Sequence, residues 1–193
     1  MATGIDDAPV WGSFALVAYL PDPLGSFLTK LRRALSGDQH PQAHITFLPP
    51  RPLSVPLETT AAEIHRILRS VTAFELELGA VQVFPVTNML YLELKSGREA
   101  VVGLHKSLNS GGLFAEENFA YIPHLTLLGP LAAEAVPALL GMAETAWNQS
   151  GLARRFTVQE ITLLWQSGEQ TQGHWSRQSS FALDHPAGHV PLG

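Results

Sequence analysis

The sequence predicts an α+β fold: two pseudo-symmetric lobes, each an antiparallel sheet with helices on its outer face, and a cleft between them. Three observations predict it. Apolar and polar residues alternate over several short runs, as half-buried strands require. Other stretches place apolar residues at i, i+3 and i+4, the spacing of an amphipathic helix. These runs then recur in the same order in two halves, approximately residues 14–84 and 89–165, each reading strand, helix, strand, helix, long strand. The chain has 193 residues, 46% hydrophobic and 15% charged. That is enough apolar content for a core and too little charge for a disordered chain. A single bilobal domain over 12–184 accommodates both halves, and 185–193, with its prolines and glycines, reads as a flexible tail.

The elements follow in order. The apolar run 14–20 is a buried strand, closed by Pro21-Asp22-Pro23. Leu24, Phe27, Leu28, Leu31 and Leu35 then mark one face of a helix that Gly37 stops. Residues 43–48 form a short strand, which Pro49-Pro50 is expected to cut off. Leu57, Ala61, Ile64, Leu68 and Val71 form a second helical stripe. Phe74, Leu76 and Leu78 alternate with Glu75 and Glu77; the phase slips at Gly79 before Val81 and Val83, which predicts a bulge. Leu90, Leu92 and Leu94 alternate with Tyr91, Glu93 and Lys95 in the next strand. Val101, Leu104 and Leu108 mark a third helix, closed by Gly111-Gly112. A strand over 123–128 ends at Gly129-Pro130, and Val136, Leu139, Leu140, Ala143 and Trp147 mark a fourth helix. Phe156 and Val158, then Ile161, Leu163 and Trp165, read as one strand with the same slip in phase. A polar turn over 167–173 and a last strand over 174–183 complete the domain.

The residues that carry chemistry sit 80 positions apart, at equivalent places in the two halves: His44-Ile45-Thr46-Phe47 and His124-Leu125-Thr126-Leu127. Side chains alternate along a strand, so Ile45 and Phe47 face the core of one lobe and Leu125 and Leu127 that of the other. His44 and Thr46 share the opposite face, as do His124 and Thr126. Related by a twofold, these polar faces meet across a cleft. Imidazole titrates near neutrality, so one histidine can be a neutral base while the other is a charged acid. Threonine hydroxyls donate to phosphate oxygens. A phosphodiester held among them can be attacked in line by water on one side while the leaving oxygen is protonated on the other, with no metal required.

Composition narrows the field. Twelve Lys+Arg against 17 Asp+Glu give a formal charge of −5, a poor match for long nucleic acid gripped through its phosphates. The absence of cysteine excludes disulfide scaffolds, cysteine zinc sites, iron–sulfur clusters and thiol catalysis. No basic leader and no apolar run of membrane-spanning length is present, so a cytoplasmic protein without membrane attachment is expected.

The paired motifs, in the contexts His44-Ile45-Thr46-Phe47-Leu48-Pro49-Pro50 and Pro123-His124-Leu125-Thr126-Leu127, resemble those of the two-histidine (2H) phosphoesterases, specifically the bacterial 2′-5′ RNA ligase-like, cyclic phosphodiesterase members. The resemblance spans roughly 12–184. It implies a bilobal α+β fold, hydrolysis of 2′,3′-cyclic phosphodiesters, and in some members joining or cleavage of 2′-5′ linkages. It implies catalytic His44 and His124, with His124 as base and His44 as acid in hydrolysis and the reverse in ligation, and phosphate-binding Thr46 and Thr126. No cofactor and no metal are implied. The expected partner is a small nucleotide or short RNA with a cyclic or 2′-5′ phosphodiester, bound by a monomer. Where related members often carry several basic residues near the motifs, only Arg51 follows here.

Other readings stand beside these. Two histidines could hold a metal, although no acidic third ligand lies at useful spacing near either. The cleft could also serve a catalytically idle nucleotide-binding or partner-binding module. Tyr19 and Tyr91, on comparable strands, either stack on a base or pack. Arg51 either neutralises a phosphate or is an exposed loop residue. His65 and His105 on helices, and His40, His174, His185 and His189 in loops or near strand ends, read as solvated or structural. Phe114 and Phe119 flank an acidic loop that could cover the cleft.

Overall fold

The computed structural model describes residues 12–37, 41–167 and 175–184. In chain order its elements are β1 (Ser13–Tyr19), α1 (Leu24–Ser36), β2 (His44–Pro52), α2 (Leu57–Leu68), β3 (Phe74–Val83), β4 (Leu90–Ser96), α3 (Arg98–Leu108), β5 (His124–Leu128), α4 (Val136–Gln149), β6 (Arg155–Val158), β7 (Glu160–Gln166) and β8 (Ser176–Ala182). Short 3₁₀ turns occur at Gly111–Leu113 and Ala133–Ala135. The strands form two four-stranded sheets, ordered β2-β1-β7-β8 and β5-β4-β3-β6, with every pairing between them antiparallel. The molecule is thus the α+β, two-lobed arrangement expected. Helices α2 and α3 back the first sheet; α1 and α4 back the second and pack on each other. All but the first residue of the polar turn expected over 167–173, the tail 185–193, and His40, His174, His185 and His189 lie outside the described residues.

Helix α1 shows how pattern becomes structure. Leu24, Leu28, Leu31 and Leu35 are the buried stripe, and Gly37 ends the helix at φ 74°, with its N–H on the Arg33 carbonyl at 2.9 Å. Only glycine takes that left-handed turn without a steric cost.

Three expectations need correction. The strand of the first motif does not stop at Pro49-Pro50 but runs on to Pro52, with Arg51 opposite Phe14 and Pro52 opposite Ser13. It can do so because β2 is an edge strand, where a missing N–H need not break a ladder. The slip at Gly79 and the slip after Val158 have different outcomes. In β3 the register shifts between Leu78 and Val81 within one continuous strand. In the second half the chain leaves one sheet and enters the other: β6 pairs with β3, while β7 pairs with β1 and β8. Finally, the lobes do not have separate cores. Ile45 and Phe47 belong to one apolar cluster with Leu125 and Leu127, all fully buried.

The single core follows from how the halves are joined. Each sheet takes strands from both: β1 and β2 lie with β7 and β8, while β3 lies with β4, β5 and β6. Helix α1 follows β1 yet packs on β5, and α3 follows β4 yet packs on β2. The edge strands β2 and β5 consequently run close to each other at the junction of the two sheets. No helix among the described residues is long and apolar enough to cross a membrane.

Candidate active site at the junction of the two sheets

The junction places the two motifs together. His44 and Thr46 are half-buried on β2 and His124 and Thr126 half-buried on β5, while the intervening Ile45 and Leu125 are buried. The alternation that sends the apolar residues inward leaves the histidines and threonines on the other face.

Both imidazoles are held in the same way. His44 Nδ1 lies 2.7 Å from the Gln42 carbonyl, and His124 Nδ1 lies 2.6 Å from the Ile122 carbonyl. A carbonyl only accepts, so Nδ1 carries the proton in each ring and a neutral ring keeps its lone pair on Nε2. The motif therefore supplies more than a histidine and a threonine: its backbone two residues upstream fixes the tautomer.

Burial keeps both rings from charging. It pushes His44 from its usual 6.5 down to about 4, with the Gln42 hydrogen bond opposing and the positive fields of Arg32 and His124 adding to the effect. It lowers His124 as well, against the Ile122 hydrogen bond. Each ring has aromatic company. Tyr19 lies opposite His44 in the β1–β2 ladder, and their rings meet edge to face at 6.1 Å. Tyr91 lies opposite Thr126 and reaches the His124 ring at 5.4 Å; Phe84 stacks on Tyr91 at 3.9 Å and approaches His124 edgewise at 4.9 Å.

A cavity of about 450 Å³ opens beside the junction. Thr46, Arg51 and His124 line it, with the 115–122 segment as its outer wall; His44, Thr126, Tyr19 and Tyr91 lie outside its lining. That wall is tethered. Tyr121 Oη donates to the Thr46 carbonyl at 2.5 Å, and the Tyr121 ring stacks on His105 at 3.7 Å. His105 is buried, its Nδ1 2.8 Å from the Phe47 carbonyl and its Nε2 3.3 Å from the Glu117 carboxylate. It is a structural residue, as expected. Exposed Phe114 and Phe119 do flank this acidic segment.

Arg51 is no exposed loop residue: it is 4% exposed. Its guanidinium donates to Glu117 at 2.7 Å, Asn109 Oδ1 at 2.6 Å and the Leu113 and Pro49 carbonyls at 3.1 Å each. It lines the cavity while these contacts hold the 109–117 segment to β2.

Two other arginines approach the site, and the sequence pattern does not announce them. Arg32, buried on α1, extends its field to His44. Arg177, on β8, lays its guanidinium over the Tyr19 ring at 3.9 Å and donates to Gln42 Oε1 at 2.6 Å, beside the residue whose carbonyl anchors His44. Neither is near the motif in sequence. Position i−2 of each motif is the one local signal that could have identified the anchoring carbonyls. The described residues contain no group of three or more His, Cys, Asp or Glu side chains arranged to hold a metal ion.

Comparison with known proteins agrees on one family. The profile described as the 2′-5′ RNA ligase superfamily matches residues 20–170. A Bacillus cytotoxicus protein, provisionally named a phosphoesterase, is 28% identical over 152 residues, covering 72% of this chain and 82% of its own. A crystal structure of a phosphoesterase superposes with a TM-score of 0.64 at 19% identity, covering 90% of this chain and 99% of that one. Escherichia coli LigT without ligand gives 0.63 at 16% identity (90% and 98% covered), and LigT bound to 3′-AMP gives 0.61 at 15% (89% and 98%).

Proposed function

The chain belongs to the 2′-5′ RNA ligase superfamily of two-histidine phosphoesterases, and on that premise we propose that it is a metal-independent phosphodiesterase that opens 2′,3′-cyclic phosphodiesters of nucleotides or short RNA ends. The observation that carries the reading is the matched pair: two histidines on adjoining edge strands, each with Nδ1 tied to the carbonyl two residues upstream and a threonine two residues on. In the proposed step His44 Nε2 takes a proton from water as its oxygen attacks phosphorus. The bond from phosphorus to one ribose oxygen breaks, and that oxygen takes a proton from His124. The products are a phosphomonoester and a free ribose hydroxyl. Thr46 and Thr126 hold the non-bridging oxygens in line.

The assignment of roles is opposite to the one the resemblance implies, and its reason is electrostatic. Burial, with the field of Arg32 adding to it, keeps His44 neutral down to about pH 4, so it suits the base. The phosphate's negative charge, arriving beside both rings, offsets their desolvation and lets His124 take up the proton an acid needs. LigT accommodates 3′-AMP, which supports a nucleotide-sized ligand here. Joining of 2′-5′ linkages would be the same chemistry run with a ribose hydroxyl in place of water.

The test is turnover of 2′,3′-cyclic AMP in EDTA by wild type, His44→Ala and His124→Ala. We expect full wild-type activity and a loss of at least about 10²-fold in each variant, the usual share of one acid or base. Activity lost in EDTA and restored by zinc or manganese would overturn the mechanism. Nucleotide binding without turnover would leave an idle binding module.

A further inference from the structure

A second cavity, of about 410 Å³, adjoins the first at His124. Phe84, Val86, Met89, Phe119 and Ile122 make it an almost wholly apolar groove. Three of these are apolar side chains left in water: Val86 is 82% exposed, Phe119 71% and Ile122 37%. Exposed apolar residues scattered singly need no explanation, whereas these converge on one groove beside a candidate catalytic ring. Phe119 and Ile122 border both cavities, so a ligand with its phosphate at His124 can continue into the groove without a break.

The flank beside His44 has the opposite character. Arg177, Tyr19 and the field of buried Arg32 make it cationic and polar. One side of the candidate phosphate position therefore suits charge and the other a flat apolar ring. We propose that the groove is the subsite for the nucleobase of the bound ester, stacked on Phe119, so that the substrate lies with its base on the His124 side and any further phosphate on the His44 side. The inference rests on the phosphodiesterase reading for the phosphate's position and adds the orientation.

Two measurements test it. The first compares kcat/KM for 2′,3′-cyclic AMP with that for the base-free methyl riboside 2,3-cyclic phosphate. Base–aromatic stacking predicts that wild type prefers the former, and that Phe119→Ala shrinks this ratio at least about fivefold. Val86→Asp, at a position too exposed to threaten folding, shrinks it in the same direction. An undiminished ratio in both variants, or no preference in wild type, would overturn the subsite. The second uses 2′-AMP as a non-reacting probe in saturation-transfer NMR. Adenine protons should receive more saturation than ribose protons in wild type and lose that advantage in Phe119→Ala; equal transfer in wild type counts against the groove. If neither cyclic phosphate is turned over, the phosphodiesterase reading fails, and the NMR result still decides whether the groove takes a base.

Discussion

His44 and His124 have matching backbone anchors and different neighbours, and the difference is measurable. An unfolded chain protonates His44 near its usual 6.5, whereas the folded chain resists until about 4. Between those values the unfolded state binds more protons, so stability rises with pH across that window and falls as acid is added. His124, also lowered, contributes with the same sign. We expect the urea midpoint to drop from pH 6.5 to pH 4, the His44 share amounting to roughly 2–3 kcal/mol, and His44→Gln to flatten the slope. The pH dependence of kcat/KM, which reports the free enzyme, moves the same way. The base limb lies near 4 and the acid limb below 6.5, so the maximum is acidic rather than centred on neutrality. A profile peaking above pH 7 would contradict the depressed imidazoles.

Among the elements, α4 shows most directly how a helix holds an irregular strand in place. Trp147 is buried against Phe27 of α1, and its indole N–H donates to the Gly79 carbonyl at 2.8 Å, within the bulged stretch of β3. At Gly79 a side chain would meet the Glu93 side chain at 2.7 Å, so the bulge is closed on one side by Trp147 and on the other by Glu93. Trp147→Ala removes packing and leaves that carbonyl without its donor, and we expect it to lower the unfolding free energy by about 3–5 kcal/mol in a denaturant titration. The bulge itself was legible, because a phase slip at a glycine has few other meanings. The matched slip at Gln159 was not. A break in period signals that a strand is interrupted, but not whether it resumes in the same sheet, which depends on long-range pairing. The motifs were legible for a similar reason: alternation around His44 and His124 is local. Arg177 was not, because its place over Tyr19 is set by β7 and β8 lying beside β1.

For the whole molecule, charge decides what can be held. A net charge of −5 opposes a long polyanion, and Arg51 is already committed to Glu117, Asn109 and backbone carbonyls. We expect the slope of log affinity against log salt for RNA to be shallower than about −4, with little gain as the strand lengthens. A steeper slope, growing with length, would reveal contacts well beyond the junction. At this scale two lobes are legible in the sequence and the drawing of each from both halves is not, since repeat order is visible in one dimension and strand exchange only in three.

That exchange has a consequence for any attempt to divide the protein. Geometrically, β3 and β7 are traded between the halves, which resembles a swapped dimer whose two copies have been spliced into one polypeptide. A cut in the 84–89 connection would give two fragments, neither containing a finished sheet: the first would show β1 with no neighbour where β7 belongs, the second β4 with none where β3 belongs. Produced separately, each should aggregate or stay unfolded through its open edge. Produced together, they should knit into one noncovalent complex with His44 on one fragment and His124 on the other, so that catalysis itself becomes the reporter of reassembly.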